Sequence, residues 1–275
     1  MLRILVGSLL LAAASSLVQA QSDQPTAAKS MDQVKHLASF PVVEFRRYTI
    51  KEGEREHFAQ YFESYFPEAF EQLGALALGS FLEQSNSSMF TWIRGFRNMD
   101  DRAVINSAFY YGPLWREHAA TLNNLMVDSD NVLLLRALRP ERTVPVLPAV
   151  DPVTEAKGAQ GVVVAQIFAV KPNSVDGFAR QAESVFAGYR AAGVHEAGVL
   201  VTLDVQNNFP QLPVRTDGPY LVWLGIVKNN EELDERFKPI IAGSLHFLSA
   251  TGLLRGTPEL VVLDPTRRSR LRWLP

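Results

Sequence analysis

The sequence predicts an α+β fold in which two tandem β-α-β-β-α-β units pack together as one barrel within a single chain. Three observations predict it: a repeated helix, the same order of elements in both halves, and a proline-rich segment between them. The repeat aligns Phe58 with Phe178 and Glu63 with Glu183 at one constant offset along the chain. This offset is too long for a solenoid repeat, and it therefore indicates a duplicated small domain.

The first unit is predicted over residues 41–140. The strand VVEFRRYTI precedes a helix from Glu54 to Leu73, which presents an aromatic stripe and is interrupted by Pro67. The runs ALALGSFLEQ and MFTWIRGF form a predicted hairpin. A second helical region, divided at Gly112-Pro113, runs to about Met126, and NVLLLRAL closes the unit as a buried strand. This order is the ferredoxin-like topology.

A stiff, proline-rich linker over residues 141–160 leads to a diverged second unit over residues 161–275. Its predicted elements are GVVVAQIFAV, a helix from about Ser174 to Ala192, the hairpin of GVLVTLDV and YLVWLGIV, a helix from about Glu231 to Thr251, and PELVVLD. A sheet of this type leaves one half-apolar face bare, so we expect the two sheets to pack face to face. Six large aromatic residues are predicted to be buried: Phe62, Phe66, Trp92, Phe178, Phe186 and Trp223.

The first forty residues predict export rather than fold. Residues 1–20 combine Arg3, an apolar run and the small-residue site Val18-Gln19-Ala20, which is the pattern of a cleaved signal peptide. Residues 21–40 are polar and are interpreted as a flexible leader. We therefore expect a periplasmic or secreted protein that begins at Gln21 and has no stable membrane anchor after processing. The chain has no cysteine, which excludes disulfides and thiolate chemistry.

Charge and histidine spacing exclude further classes of function. The formal net charge is −2, with 27 basic and 29 acidic residues, so nucleic acid is not an expected partner. The one basic cluster is near the C-terminus and is interpreted as a solvated tail; it contains Arg267, Arg268, Arg270 and Arg272. The five histidines lack metal-ligand spacing, and no metal site is expected.

Two groups of residues in the first unit are candidates for a site. Glu44, Arg46 and Tyr48 share one face of the first strand, and an Arg-Glu pair there predicts an internal salt bridge. Arg94, on the adjacent hairpin, would extend this network or bind an anionic ligand. Near the predicted helix break stand the aromatic and imidazole groups of Tyr110, Tyr111, Trp115 and His118, which either line a pocket or fill the core.

The motifs resemble those of one protein family. The run from Glu44 to Gly53, EFRRYTIKEG, looks like the opening motif of NIPSNAP domains. Pro113-Leu114-Trp115 is similar to the Pro-x-Trp of that family, and the run from Asp264 to Leu271, DPTRRSRL, is similar to its closing stretch. The second unit departs from the pattern, with Gln166-Ile167-Phe168 and Ser244-Leu245-His246 at the corresponding places.

The resemblance implies the dimeric α/β-barrel superfamily, whose members include cofactor-independent monooxygenases, haem enzymes and polyketide cyclases. NIPSNAP proteins themselves are known mostly as adaptors or as proteins of unclear activity, so membership does not identify a reaction. We expect an exported protein that binds a small, partly apolar or aromatic molecule or a protein partner. The alternative is a cofactor-independent monooxygenase or a haem-dependent enzyme. No cofactor is expected, although haem is left open, as is a homodimer.

The expected cavity lies between helix and sheet of the first unit, because only this unit keeps both the Arg-x-Tyr and the Pro-x-Trp motifs. Its expected wall residues are Tyr48, Arg94, Tyr111, Trp115 and His118.

Overall fold

A computed structural model describes residues 40–275 of the chain. The predicted signal peptide and all but the last residue of the predicted leader lie outside the described residues. From Phe40 to the C-terminus, no helix is both long and apolar enough to cross a membrane.

The first unit contains four strands and four helices. In chain order these are β1 (Val42–Ile50), α1 (Arg55–Tyr65), α2 (Pro67–Leu73), β2 (Leu76–Glu83), β3 (Met89–Phe96), α3 (Met99–Tyr110), α4 (Pro113–Leu125) and β4 (Met126–Ala137). Both predicted helix breaks are present. Pro67 and Pro113 each take the first position of a helix, where the missing amide hydrogen costs nothing. Asn98 caps α3 through its side chain, which accepts from the amide of Asp101 at 2.7 Å.

The second unit repeats the order with unbroken helices. Its elements are β5 (Val162–Ala169), α5 (Val175–Ala191), β6 (His195–Thr202), β7 (Tyr220–Val227), α6 (Asn230–Glu232), a π-helical turn (Leu233–Phe237), α7 (Lys238–Ala250) and β8 (Glu259–Pro265). Asn229 caps α6 as Asn98 caps α3, through a 2.9 Å bond from the amide of Glu232. The second unit therefore continues directly into α7 where the first unit breaks between α3 and α4.

The two sheets face each other and join at both edges into a closed barrel in the order β1-β3-β2-β8-β5-β7-β6-β4. The units meet where β2 pairs with β8 and where β4 pairs with β6, in both cases antiparallel. The predicted duplication and intrachain barrel are confirmed.

Three apolar clusters fill the molecule. The barrel interior holds the inward faces of all eight strands, including Val43 and Phe45. The other two clusters lie between the sheet and the helices of each unit. All six aromatic residues predicted to be buried are buried, with exposed fractions of 3% or less. Each unit thus has an equivalent apolar layer between its sheet and its helices, and these two layers can be compared residue by residue.

The linker and the C-terminal residues both contribute side chains to the core of the barrel. Val144 and Leu147 of the linker are buried in the barrel cluster, and Leu271 and Leu274 join them from the C-terminus. The expectation of a solvated basic tail holds for Arg267 and Arg268, which are exposed, and is wrong for Arg272. The side chain of Arg272 is 1% exposed and pairs with Glu155 at 2.6 Å, because the last residues close one end of the barrel.

Candidate functional site

A buried cluster of one carboxylate and three guanidinium groups lies on the helix-facing side of the first sheet. Oε2 of Glu44 accepts from Nη1 of Arg46 at 2.8 Å and from Nε of Arg94 at 2.6 Å. Its Oε1 accepts from Nε of Arg102, on α3, at 2.7 Å. All four side chains are 0–1% exposed. The cluster therefore carries a formal excess of two positive charges on side chains that are almost fully buried.

The carboxyl of Glu44 is the counter-ion that this arrangement depends on. Burial by itself would raise its pKa, but the charges of Arg94, Arg46 and Arg102 outweigh burial and hold the pKa well below its usual range. Glu44 is therefore ionised wherever the protein is folded near neutral pH.

Several hydrogen-bond donors around the cluster are not matched by acceptors of the described residues. Nη1 and Nη2 of Arg94, Nη2 of Arg102 and Nε1 of Trp92 are buried without a partner. Arg94 is compensated in part by aromatic faces, since its guanidinium carbon lies 5.0–5.1 Å from the ring centres of Phe70, Trp92 and Phe96. Unmatched buried donors are uncommon in folded proteins and require an explanation.

A cavity of about 350 Å³ adjoins this cluster, between the first sheet and helices α1 to α4. Ten of its lining residues are aromatic: Tyr48, Phe62, Phe66, Phe70, Trp92, Phe109, Tyr110, Tyr111, Trp115 and Phe209. The lining includes Arg46 but no Asp or Glu within residues 40–275. The partly exposed lining residues, among them Tyr111 and Ser129, mark its opening to solvent.

The second unit contributes one wall of the cavity through the long loop between β6 and β7, residues 203–219. Phe209 of this loop is buried, and its ring centre lies 6.0 Å from that of Tyr110. The loop is anchored by Arg102, whose Nη1 donates to the side-chain oxygens of Asn207 at 3.0 Å and Asn208 at 2.8 Å. Both acceptors are neutral amides, so they hold the loop without neutralising the cluster.

The five predicted wall residues divide into two groups. Tyr48, Tyr111 and Trp115 line the cavity. Arg94 does not line it, because its side chain is turned onto Glu44 and is fully buried. His118 does not line it either: its Nδ1 is 2.7 Å from the hydroxyl oxygen of Tyr61, and its ring stacks on Tyr65 at 3.9 Å between centres.

Sequence reasoning did not assign Arg102 or the loop to the site, although Asp101-Arg102 resembles an acidic-Arg pair of the NIPSNAP pattern. Arg102 stands one helical turn after the Asn98 cap, at a place where a charged residue is ordinarily solvent-facing, so only the three-dimensional contact with Glu44 identifies it. Phe209 lies in a stretch that the repeat marks as an insertion, NNFPQLPVRTDG, but the sequence does not indicate which unit it covers.

Between residues 40 and 275, no three side chains of the ligand types His, Asp and Glu come together in a group that could hold a metal ion.

Comparisons with known proteins agree with this architecture. Over 82% of its length the chain is similar to a candidate monooxygenase from Lactobacillus acidophilus, of which it covers 94%, at 15% identity and a TM-score of 0.52. It is also similar to a candidate monooxygenase from Fusobacterium nucleatum, at 11% identity and a TM-score of 0.54, with 86% of this chain and 98% of that one covered. An anthrone oxidase-like protein matches at 10% identity and a TM-score of 0.54, over 87% and 98% of the two chains.

At these identities the likeness shows the fold alone. A search of curated proteins returns no significant sequence match. The sequence profile of the NIPSNAP family matches residues 43–138, a range that contains Glu44 and the three arginines bound to it. Residues 43–138 of the first unit therefore match the NIPSNAP family, within a chain whose described residues form one closed α/β barrel.

Proposed function

We propose that this protein binds a small, largely apolar or aromatic molecule in the cavity of its first unit. The observation that carries the proposal is a cavity of about 350 Å³ with ten aromatic lining residues. Ligand pockets are typically concave, mostly apolar and equipped with a few polar groups, and this cavity has all three properties. A concave space of this size fits a small molecule better than the surface of a protein partner.

The breaks in the helices of the first unit support this reading. Each break lies beside the cavity: Phe66 stands between α1 and α2, and Tyr111 stands between α3 and α4. In the second unit α5 runs without a break for 17 residues.

Occupation of the cavity is tested by closing it. Ser129 lines the cavity from β4 and is only partly buried, so a tryptophan there would fill the opening at small cost to the fold. We expect mass spectrometry of denatured wild-type protein to release a bound small molecule, and Ser129→Trp to carry less than about a tenth of it. Val127→Trp is the matched control, since Val127 is on the same strand, 66% exposed and outside the lining. Equal amounts in both variants would contradict the proposal.

The rival function is an enzyme of the same superfamily, and its haem branch has a direct structural test. Haem iron is held by His, Cys, Met or Tyr side chains. No described histidine lines the cavity, and the nearest candidate, His118, is engaged by Tyr61 and Tyr65. The residues present do not fit a histidine-ligated haem, and the absorption spectrum of a histidine-ligated haem in the purified protein would contradict this conclusion. A cofactor-independent oxygenase would use the same cavity for an aromatic substrate.

Export is the second part of the proposal. It is supported by the apolar run and the Val18-Gln19-Ala20 site in the sequence. We expect N-terminal sequencing of the protein from its native host to begin at Gln21. An intact Met1 on the mature protein would contradict processing at this site.

A further inference from the structure

We propose that the ligand of this cavity is an anion: a small aromatic or apolar molecule with one negatively charged oxygen, which binds Arg46 and Tyr48. This inference rests on the proposed function and adds the chemical class of the ligand. Carboxylates, phenolates and enolates share the required chemistry, because each presents an anionic oxygen at the edge of a flat apolar body.

The buried cluster has more positive than negative charge. Three guanidinium groups share the single carboxylate of Glu44, and all four side chains are buried. A buried charge without a counter-ion is costly, and a cluster with a net positive charge lowers that cost by taking up an anion. The cavity is the place where an anion can approach, since Arg46 lines it and no described acidic residue does.

The cavity wall also presents hydrogen-bond donors that have no acceptor among the described residues. Nε of Arg46 donates to the hydroxyl oxygen of Tyr48 at 2.6 Å, and its Nη1 donates to Glu44. Its Nη2 has no hydrogen-bond partner among residues 40–275. Because the Tyr48 oxygen already accepts from Arg46, its own hydrogen remains free to donate. Arg46 and Tyr48 thus offer two neighbouring donors at the cavity wall.

The strand registers identify which residues of the second unit occupy the positions of the cluster. Glu44 pairs with Arg94 across β1 and β3, and Val164 pairs with Gly225 at the same place in the second unit. Two residues further along β1 and β5, Arg46 pairs with Trp92, and Gln166 pairs with Trp223.

The rest of the cluster is replaced as well. Tyr48 corresponds to Phe168 by the same register. Arg102 corresponds to Leu233, since each stands four residues after the asparagine that caps its helix. Two polar groups remain at these positions, and both have partners: Nε2 of Gln166 donates to the hydroxyl oxygen of Tyr189 at 3.0 Å, and Nε1 of Trp223 donates to Oε2 of Glu196 at 3.2 Å.

The second unit shows what the fold requires at these positions. The second unit builds the same sheet and helix layer with apolar or neutral residues at every position of the cluster. The fold itself therefore does not require three buried arginines. Replacing a buried ion cluster by apolar residues is often neutral or stabilising. A buried ion cluster is therefore not needed for the stability of the fold. Recognition of an anion accounts for the excess charge and for the free donors together.

A matched pair of probes tests the inference by calorimetry: 2-naphthoate, which is anionic, and 2-naphthylmethanol, which is neutral and of nearly the same shape. We expect wild-type protein to bind the naphthoate at least about tenfold more tightly than the alcohol. Arg46→Gln copies the residue of the second unit at this position and should abolish that preference while the alcohol still binds. Arg47→Gln is the control, because Arg47 pairs with Glu83 and Glu259 and does not line the cavity.

Tyr48→Phe provides a second variant should Arg46→Gln fail to fold, and it should weaken naphthoate binding several-fold with a smaller effect on the alcohol. If the wild type binds both probes equally, or if Arg46→Gln keeps the preference, the ligand is not recognised as an anion and this inference is overturned while the proposed function stands. If neither probe binds and Ser129→Trp displaces no released molecule, the proposed function is overturned and this inference with it.

Discussion

Glu44→Gln is expected to lower the free energy of unfolding by about 3–5 kcal/mol, because it removes the only carboxylate from a buried site that keeps three arginines. The amide has nearly the same size, so packing is preserved and the effect measures the lost charge. Denaturant unfolding followed by tryptophan fluorescence checks the result. Glu259→Gln is the matched control: Glu259 pairs with Arg47 at 2.8 Å, but it is 48% exposed and should cost less than about 1 kcal/mol. Similar losses in both variants would contradict the role given to Glu44.

Glu44 also makes the free energy of unfolding depend on pH in the acidic range. The pKa of the Glu44 carboxyl is depressed in the folded protein by its arginine partners, whereas the unfolded chain has an ordinary glutamate pKa of about 4.3. Its contribution is therefore complete above that unfolded value and is lost progressively as the pH falls towards the folded value. We expect the wild type to lose stability below about pH 4 more steeply than Glu44→Gln. Parallel curves for the two proteins would show that Glu44 is not the group responsible.

Local patterns were sufficient to predict the fold. Apolar periodicity, Pro67, Gly112-Pro113 and the two cap asparagines specify where helices begin and break, and these signals act within a few residues. The duplication then predicts the barrel, because two sheets with one bare face each can cover one another. The Glu44–Arg46 contact followed from the period of a strand, which places alternate residues on one face.

The site required information that no local pattern carries. Arg102 reaches Glu44 from a helix 58 positions further along the chain, and Phe209 reaches the cavity from the other unit. The basic C-terminal residues appeared solvated because their partners, such as Glu155 for Arg272, are distant in sequence. For His118 the local pattern was misleading. Its helical spacing from Trp115 is as expected, but its ring packs against Tyr61 and Tyr65 of α1 and does not line the cavity.

The duplication also supplies a paired test of the cavity. Phe66 and Phe186 occupy the same place in the repeat, and both are buried, with exposed fractions of 1% and 0%. Phe186 is packed in the second helix–sheet cluster, close to Phe168, Tyr189 and Trp223. Phe66 lines the cavity, so part of its ring faces space rather than neighbouring atoms. The two rings differ in how many dispersion contacts a truncation would remove.

We therefore expect Phe186→Ala to lower the free energy of unfolding by about 3–5 kcal/mol, and Phe66→Ala to cost at least about 1 kcal/mol less. Truncation at Phe186 opens a new void in a filled core, whereas truncation at Phe66 enlarges a void that the fold already tolerates. Denaturant midpoints of the two variants, measured side by side with the wild type, give the comparison directly. Phe66→Ala should in addition bind a bulkier aromatic anion such as anthracene-2-carboxylate more tightly than the wild type does, and Phe186→Ala should not. Equal losses of stability, with no change in the size of ligand accepted, would mean that Phe66 stands in a filled core and that the first unit has no working cavity.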